Sequence, residues 1–303
     1  MPDEDQELKE LLRQVYRLEL RTERWVDSLS AGQYRSRFKG QGMEFEEVRE
    51  YAEGDDVRHL DWNVTARAGR PYIKTFREER DLAIMLLVDV SGSMKYGAIP
   101  GLSERTKMVT AAQAAAIIGV TAMRNNDLLG LVTFSNHCEE HLRPRKGRQH
   151  CMRVIRECLA SAPGYRATAL SHAIEEFVRA TPKRTVCFII SDFLQYDADL
   201  GTMLARAARR HDVLGLRIGD PSEWQLPAGS APLVLADPES DAEAVLAGGR
   251  RARARYAATV KQVREETERL FGNAGCQLID INTAESAFAA IRRCFERRRR
   301  RRG

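Results

Sequence analysis

The chain has 303 residues, 43% hydrophobic and 30% charged, enough to bury one full α/β core and carry an appended subdomain. No run reaches the roughly 18–20 uncharged apolar residues of a membrane helix, and residues 1–10 are acidic rather than a basic leader, which predicts a soluble, uncleaved, cytoplasmic protein. The formal net charge of +5 belongs to the tail, because residues 297–302 are all arginine, and a basic body suited to nucleic acid is excluded.

In chain order, Leu8, Leu11, Leu12, Val15, Leu18 and Trp25 recur at helical spacing and predict an amphipathic N-terminal helix over residues 1–30 that packs on the main domain. Residues 31–80 change character. Gly40, Gly42, Gly54 and Gly69 punctuate short segments rich in Arg, Asp and aromatics, and residues 72–76 alternate like a strand, so an irregular, partly β subdomain is expected.

Residues 81–296 then alternate regularly. Apolar runs at 82–88, 128–134, 185–190, 213–218 and 277–281 are separated by helical patterns at 103–123 (with Ser103 as cap), 148–160, 168–180, 198–210, from 239 or 250 to 271, and 284–297. That pattern predicts an α/β fold with a doubly wound, mostly parallel sheet covered on both faces. Residues 221–247 hold four prolines and read as a loop with one short strand at 233–235, and residues 297–303 form an arginine-rich tail.

Six cysteines, Cys138, Cys151, Cys158, Cys187, Cys276 and Cys294, lack C-x-x-C spacing and fit a reducing compartment without a zinc site. The chemistry concentrates elsewhere. Asp89-Val90-Ser91-Gly92-Ser93 directly follows the first apolar run, and ligands of open parallel sheets bind beyond the carboxyl ends of strands. Asp89 supplies charge, the Ser91 and Ser93 hydroxyls supply neutral ligands, and Gly92 is expected to ease the turn. These hard oxygen donors suit a divalent cation, Mg²⁺ or Mn²⁺, rather than zinc. An isolated D-x-S-x-S arises by chance in roughly one chain in ten to twenty of this length, so the argument needs the two later segments that end in matching donors. Thr168 opens the helical pattern at 169–180, and Ser191-Asp192 ends the third apolar run. Read singly, each of these residues is a strand terminus or a helix cap.

Asp89, Ser91, Ser93, Thr168 and Asp192 together resemble the metal-ion-dependent adhesion site of von Willebrand factor A-like domains, a Rossmann-type fold. The resemblance implies that the serines and the threonine approach the ion, that the aspartates act directly or through water, and that one position is left for a partner's carboxylate. Tyr165, Arg166 and Ala167 stand where the family usually has glycines before the threonine.

A more specific likeness lies upstream. Residues 54–62, Ala66-Arg67 and residues 76–80, with Ser36, Gly40, Gly42, Glu44, Phe45 and Arg49-Glu50-Tyr51, resemble the bacterial family called domain of unknown function 58 (DUF58) over about residues 30–195. Such proteins are commonly encoded beside MoxR-type AAA+ ATPases, which implies a shared role in complex assembly or metal insertion. Asp55, Asp56, Arg58, Asp61, Trp62 and Arg67 read either as a structural ion-pair network bracing the subdomain around Trp62 or as a second site.

The function expected from the resemblance is a non-enzymatic, metal-dependent adaptor, whose partner is a MoxR-type ATPase or a client protein presenting an acidic side chain. A metal-dependent phosphoesterase with Asp89 as nucleophile would want a second carboxylate two residues on, where Ser91 stands. The terminal arginines offer a salt-dependent affinity for nucleic acid, but no aromatic interleaving accompanies them.

Overall fold

A computed structural model describes residues 43–52, 55–78, 82–99, 105–160, 169–224, 226, 233–236, 243–246 and 249–300. The expected helix of residues 1–30, Ser103, Thr168 with Arg166, and the side chains of the terminal arginines lie outside the described residues.

Residues 32–82 form one compact unit. In it, β1 (Met43–Glu50) pairs antiparallel with β2 (Tyr72–Glu78), with a register shift at Phe45/Glu47. A 3₁₀ turn, Val57–His59, and the short helix α1 (Trp62–Ala68) connect them. Asp61 caps α1 by accepting from Asn63 N and Val64 N, and Gly69 ends it in the left-handed region at φ 71°.

Among the described residues the charged side chains here form local pairs rather than a network around Trp62. Arg49 grips Asp55 at 2.7 and 2.8 Å, Arg58 grips Asp56, and Lys74 lies 3.4 Å from Asp61. Trp62 is 72% exposed and Arg67 lies exposed on α1, so the expected centring on Trp62 is corrected. The reason is geometric: Trp62 is the first residue of a helix whose cap, Asp61, turns inward.

The second unit holds the six-stranded sheet. Its strands are β3 (Ala83–Asp89), β4 (Leu128–Phe134), β5 (Cys138–Arg145), β6 (Val186–Ser191), β7 (Asp212–Gly219) and, later in the chain, β10 (Gln277–Asn282), arranged in the order β10-β7-β6-β3-β4-β5. All pair in parallel except β5, an antiparallel edge strand. The sequence Cys138–Arg145 is too charged to read as a buried run, which is why β5 escapes the apolar pattern.

Helices α2 (Lys107–Arg124), α3 (Arg148–Ala160) and α8 (Ala287–Arg300) pack together, and α4 (Leu170–Ala180), α5 (Leu200–Ala208) and α7 (Arg250–Asn273) form another set. Met85, Leu87, Cys187 and Ile189 meet Ile174, Phe177, Leu204 and Phe271 of the second set, while the alternate residues Ile84, Leu86 and Val88 are fully buried too. Two apolar faces on one strand explain its uninterrupted hydrophobic run. The mixed α/β fold with a mainly parallel sheet flanked by helices is thus as expected.

Three local readings are corrected. Thr106 caps α2, its hydroxyl accepting from Val109 N at 3.3 Å, so the helix starts at Lys107 rather than after Ser103. A short helix, α6 (Pro221–Trp224), follows β7. Residues 221–247 also contain two strands, β8 (Leu233–Ala236) and β9 (Glu243–Leu246), which form their own antiparallel pair apart from the main sheet. Among the described residues no helix is long and apolar enough to cross a membrane.

Candidate metal centre

The strand order reverses between β3 and β6, since β3 continues to β4 on one side and the chain returns to β6 on the other. Both strands run parallel, with Val88 opposite Ile190, so Asp89 and Ser191 end them side by side at the carboxyl edge. This is the crevice in which open α/β sheets bind ligands.

Asp89 is fully buried. Its Oδ1 accepts from Ser91 N at 2.9 Å and its Oδ2 from Ser191 Oγ at 2.6 Å. After Ser91 the chain enters a 3₁₀ turn, Gly92–Lys95, that brings Ser93 back toward the same point, and the two hydroxyl oxygens lie 3.2 Å apart. The Gly92 backbone is not in the left-handed region. The left-handed glycine is Gly97 (φ 116°), where a Cβ would stand 2.8 Å from the Arg105 carbonyl oxygen.

Asp192 follows β6 and is 5% exposed. Its Oδ1 accepts from Leu194 N at 3.2 Å and its Oδ2 from the Lys107 ammonium at 2.7 Å. Burial, and then the nearby Asp192 charge, push the Asp89 carboxyl up to about 6, against the pull of its Ser191 and Ser91 hydrogen bonds. A buried carboxylate with a second carboxylate beside it makes a place for positive charge.

The donor set fits a hard divalent cation. Two oxygens 3.2 Å apart match adjacent vertices of an octahedron with bonds of about 2.1 Å, whose edge is about 3.0 Å. Each Asp89 oxygen has a lone pair beyond the hydrogen bond it accepts. Among the described residues no three His, Cys, Asp or Glu side chains gather as a metal-binding group, so hydroxyls are needed to complete any shell. His137 and His141 have the spacing of a helical metal pair, but their segment runs into strand β5.

Asp89, Ser91, Ser93 and Asp192 therefore come to one edge of the sheet. Thr168 cannot be added from the described residues, although its neighbour Ala169 donates to Ser135 O at 2.7 Å, just past the end of β4. Asp55, Asp56, Arg58, Asp61, Trp62 and Arg67 belong to the other unit.

Sequence reasoning missed two residues. Lys107 is fully buried and bridges Asp192 and Glu223, the latter on α6. Burial pulls the Lys107 pKa down, but the Asp192 and Glu223 carboxylates outweigh it and hold the ammonium above its ordinary value. The available signal was a lone lysine opening an alanine-rich helix. Glu223 gave none, because Pro221–Trp224 is too short to show a period.

The family described as protein of unknown function DUF58 matches residues 47–266. The chain is 31% identical over 285 residues to the uncharacterized protein Rv1480 of Mycobacterium tuberculosis, covering 93% of this chain and 88% of that one, and equally to the uncharacterized protein Mb1516 of Mycobacterium bovis. Among solved structures it is similar to BatB from Bacteroides thetaiotaomicron, with a TM-score of 0.47 at 16% identity, over 72% of this chain and 99% of that one. It is also similar to a von Willebrand factor type A protein from Catenulispora acidiphila, with a TM-score of 0.34 at 17% identity, over 49% of this chain and 35% of that one. On the family match and the mycobacterial relatives, this chain belongs to the DUF58 family.

Proposed function

We propose that the protein is a non-enzymatic adaptor that binds a partner through a divalent cation, Mg²⁺ or Mn²⁺, held at the carboxyl edge of β3 and β6. The observation that carries this reading is the convergence of the buried Asp89 carboxylate with two hydroxyls 3.2 Å apart, opposite a second buried carboxylate. When bound, such an ion offers an open coordination position to an acidic side chain of the partner. Asp89 supplies charge, Ser91 and Ser93 supply neutral oxygens, and Ser191 fixes the orientation of Asp89. Thr168 completes the set by its resemblance to the adhesion-site pattern.

Few formal charges around the ion leave it electrophilic, which favours an anionic partner group. The partner we infer is a MoxR-type AAA+ ATPase or one of its clients, a reading that rests on the DUF58 membership. Catalysis at Asp89 would want a general acid or base two residues on, and Ser91 there is a neutral hydroxyl already paired with Ser93. Among the described residues Cys138, Cys151, Cys158, Cys187 and Cys276 form no disulfide, which suits a reducing compartment such as the cytoplasm.

The test is binding of the purified chain to a MoxR-type ATPase from the same organism. Capture in Mg²⁺, with loss in EDTA and loss in Asp89→Ala, is the expected result. Equal capture in all three conditions would refute metal bridging.

A further inference from the structure

Lys107 is the first residue of α2, a helix whose buried face is mostly alanine and aliphatic, and its side chain is 0% exposed. Its ammonium donates to Asp192 Oδ2 at 2.7 Å and to Glu223 Oε1 at 2.5 Å, joining the loop after β6 to α6. The other Glu223 oxygen accepts from Asp220 N at 3.1 Å, so this carboxylate is held from two sides, while Tyr256 of α7 ties down the Glu223 backbone by donating to its carbonyl at 2.9 Å.

The two aspartates of the site are consequently unlike. Among the described residues, the donors to Asp89 are a backbone N–H and neutral serine hydroxyls, with no ammonium among them. Each oxygen of Asp192 also accepts one protein donor, but on Oδ2 that donor is a buried ammonium. A divalent ion approaching Asp192 Oδ2 meets that ammonium's charge at short range, where the low dielectric strengthens repulsion. Swinging Asp192 toward the ion would strip a buried charge of a partner, which is among the costlier changes a protein interior can undergo.

We propose that Lys107 is a positioning residue that holds Asp192 back from direct contact with the ion. Asp89 is then the carboxylate of this β3–β6 edge within direct reach, and a second anionic ligand has to come from the partner. The inference rests on the adaptor reading and deepens it: the site is tuned to stay short of negative charge until an acidic side chain arrives.

The test is calorimetric titration of the full chain with Mn²⁺ alone, in buffer free of carboxylates. Lys107→Met/Glu223→Gln removes one positive and one negative charge together and frees Asp192. We expect Mn²⁺ to bind this variant roughly tenfold tighter than wild type, a gain that a merely structural lysine would not give. Unchanged or weaker binding by the folded variant overturns the proposal.

Should the double variant lack the wild-type unfolding transition, Asp192→Asn decides. With Asp192 held back, that change weakens Mn²⁺ binding by no more than about fivefold, whereas Asp89→Asn weakens it by about a hundredfold or more. Equal losses in the two variants overturn the proposal. Absence of Mn²⁺ binding by wild type defeats the adaptor reading and the role of Lys107 with it. Binding by wild type with no difference among the variants defeats the role of Lys107 alone.

Discussion

Ser191 Oγ donates to Asp89 Oδ2 at 2.6 Å, a bond between the last residues of two adjacent parallel strands that lie 102 positions apart in the chain. Ser191→Ala would leave a buried carboxylate oxygen without its donor. A loss of about 1–3 kcal/mol in unfolding free energy is expected, since hydrogen bonds to charged groups lie at the upper end of the range. Urea unfolding of the metal-free proteins measures it, and an unchanged midpoint would show that Ser191 does not restrain Asp89.

His211 should make the fold acid-sensitive. The ring is 3% exposed, packs at a tilt against Phe177 with 4.6 Å between centroids, and has no hydrogen-bond partner for either nitrogen among the described residues. Burial first, then the charges of Arg210 and Arg184, lower its pKa to about 4. The unfolded chain binds this proton near the ordinary value of about 6.5, so stability is complete above that pH and declines as pH falls toward 4. The lost contribution is about 3 kcal/mol at the acid end. Comparing wild type with His211→Leu in urea at pH 7.5 and pH 4.5 isolates it: the variant should show the smaller decline, and parallel declines would be the contrary result.

Gly215 on β7 is a packing limit. A Cβ there would stand 2.5 Å from the Phe271 ring and 2.6 Å from the Leu278 side chain, with α7 and β10 both closing on the strand. Gly215→Ala should cost about 1–3 kcal/mol through overpacking. A shift of the thermal midpoint smaller than the replicate error would mean that α7 moves aside freely.

In the smaller unit, Asp61 and Trp62 are adjacent but should behave oppositely. Asp61 caps α1 with two backbone hydrogen bonds, and its carboxyl is held below the usual range by the Val64 amide and, further, by Lys74 and the Asn63 amide. Asp61→Ala should lose about 1 kcal/mol. Trp62, largely exposed, should tolerate Ala within about 0.5 kcal/mol. The reverse order in chemical denaturation would restore Trp62 as the centre of that unit.

The parts of the fold visible in the sequence are those where burial on both faces forces an uninterrupted apolar run, as in Ala83–Asp89 and Val186–Ser191. What was hidden has a common physical cause. Strand β5 is an edge strand carrying polar residues on its open side, and β9, the partner of the strand read at 233–235, is four residues long, too short for a period to register. Asp89, Ser91 and Ser93 were legible because one short loop holds them all. Asp192 was legible only as the end of a strand, and the parallel pairing of β3 with β6 is what brings it alongside. Lys107 was not legible, because a buried ammonium depends on carboxylates 85 and 116 positions away.

The most direct measurement of the central claim is thermal unfolding of wild type and Ser91→Ala/Ser93→Ala across a Mn²⁺ titration. The account predicts that wild type gains about 2–3 kcal/mol of stability at ~100 times the dissociation constant, while the double variant gains little at the same concentrations. An equal gain in both proteins, or no gain in wild type, would contradict a cation held by the hydroxyls beside Asp89.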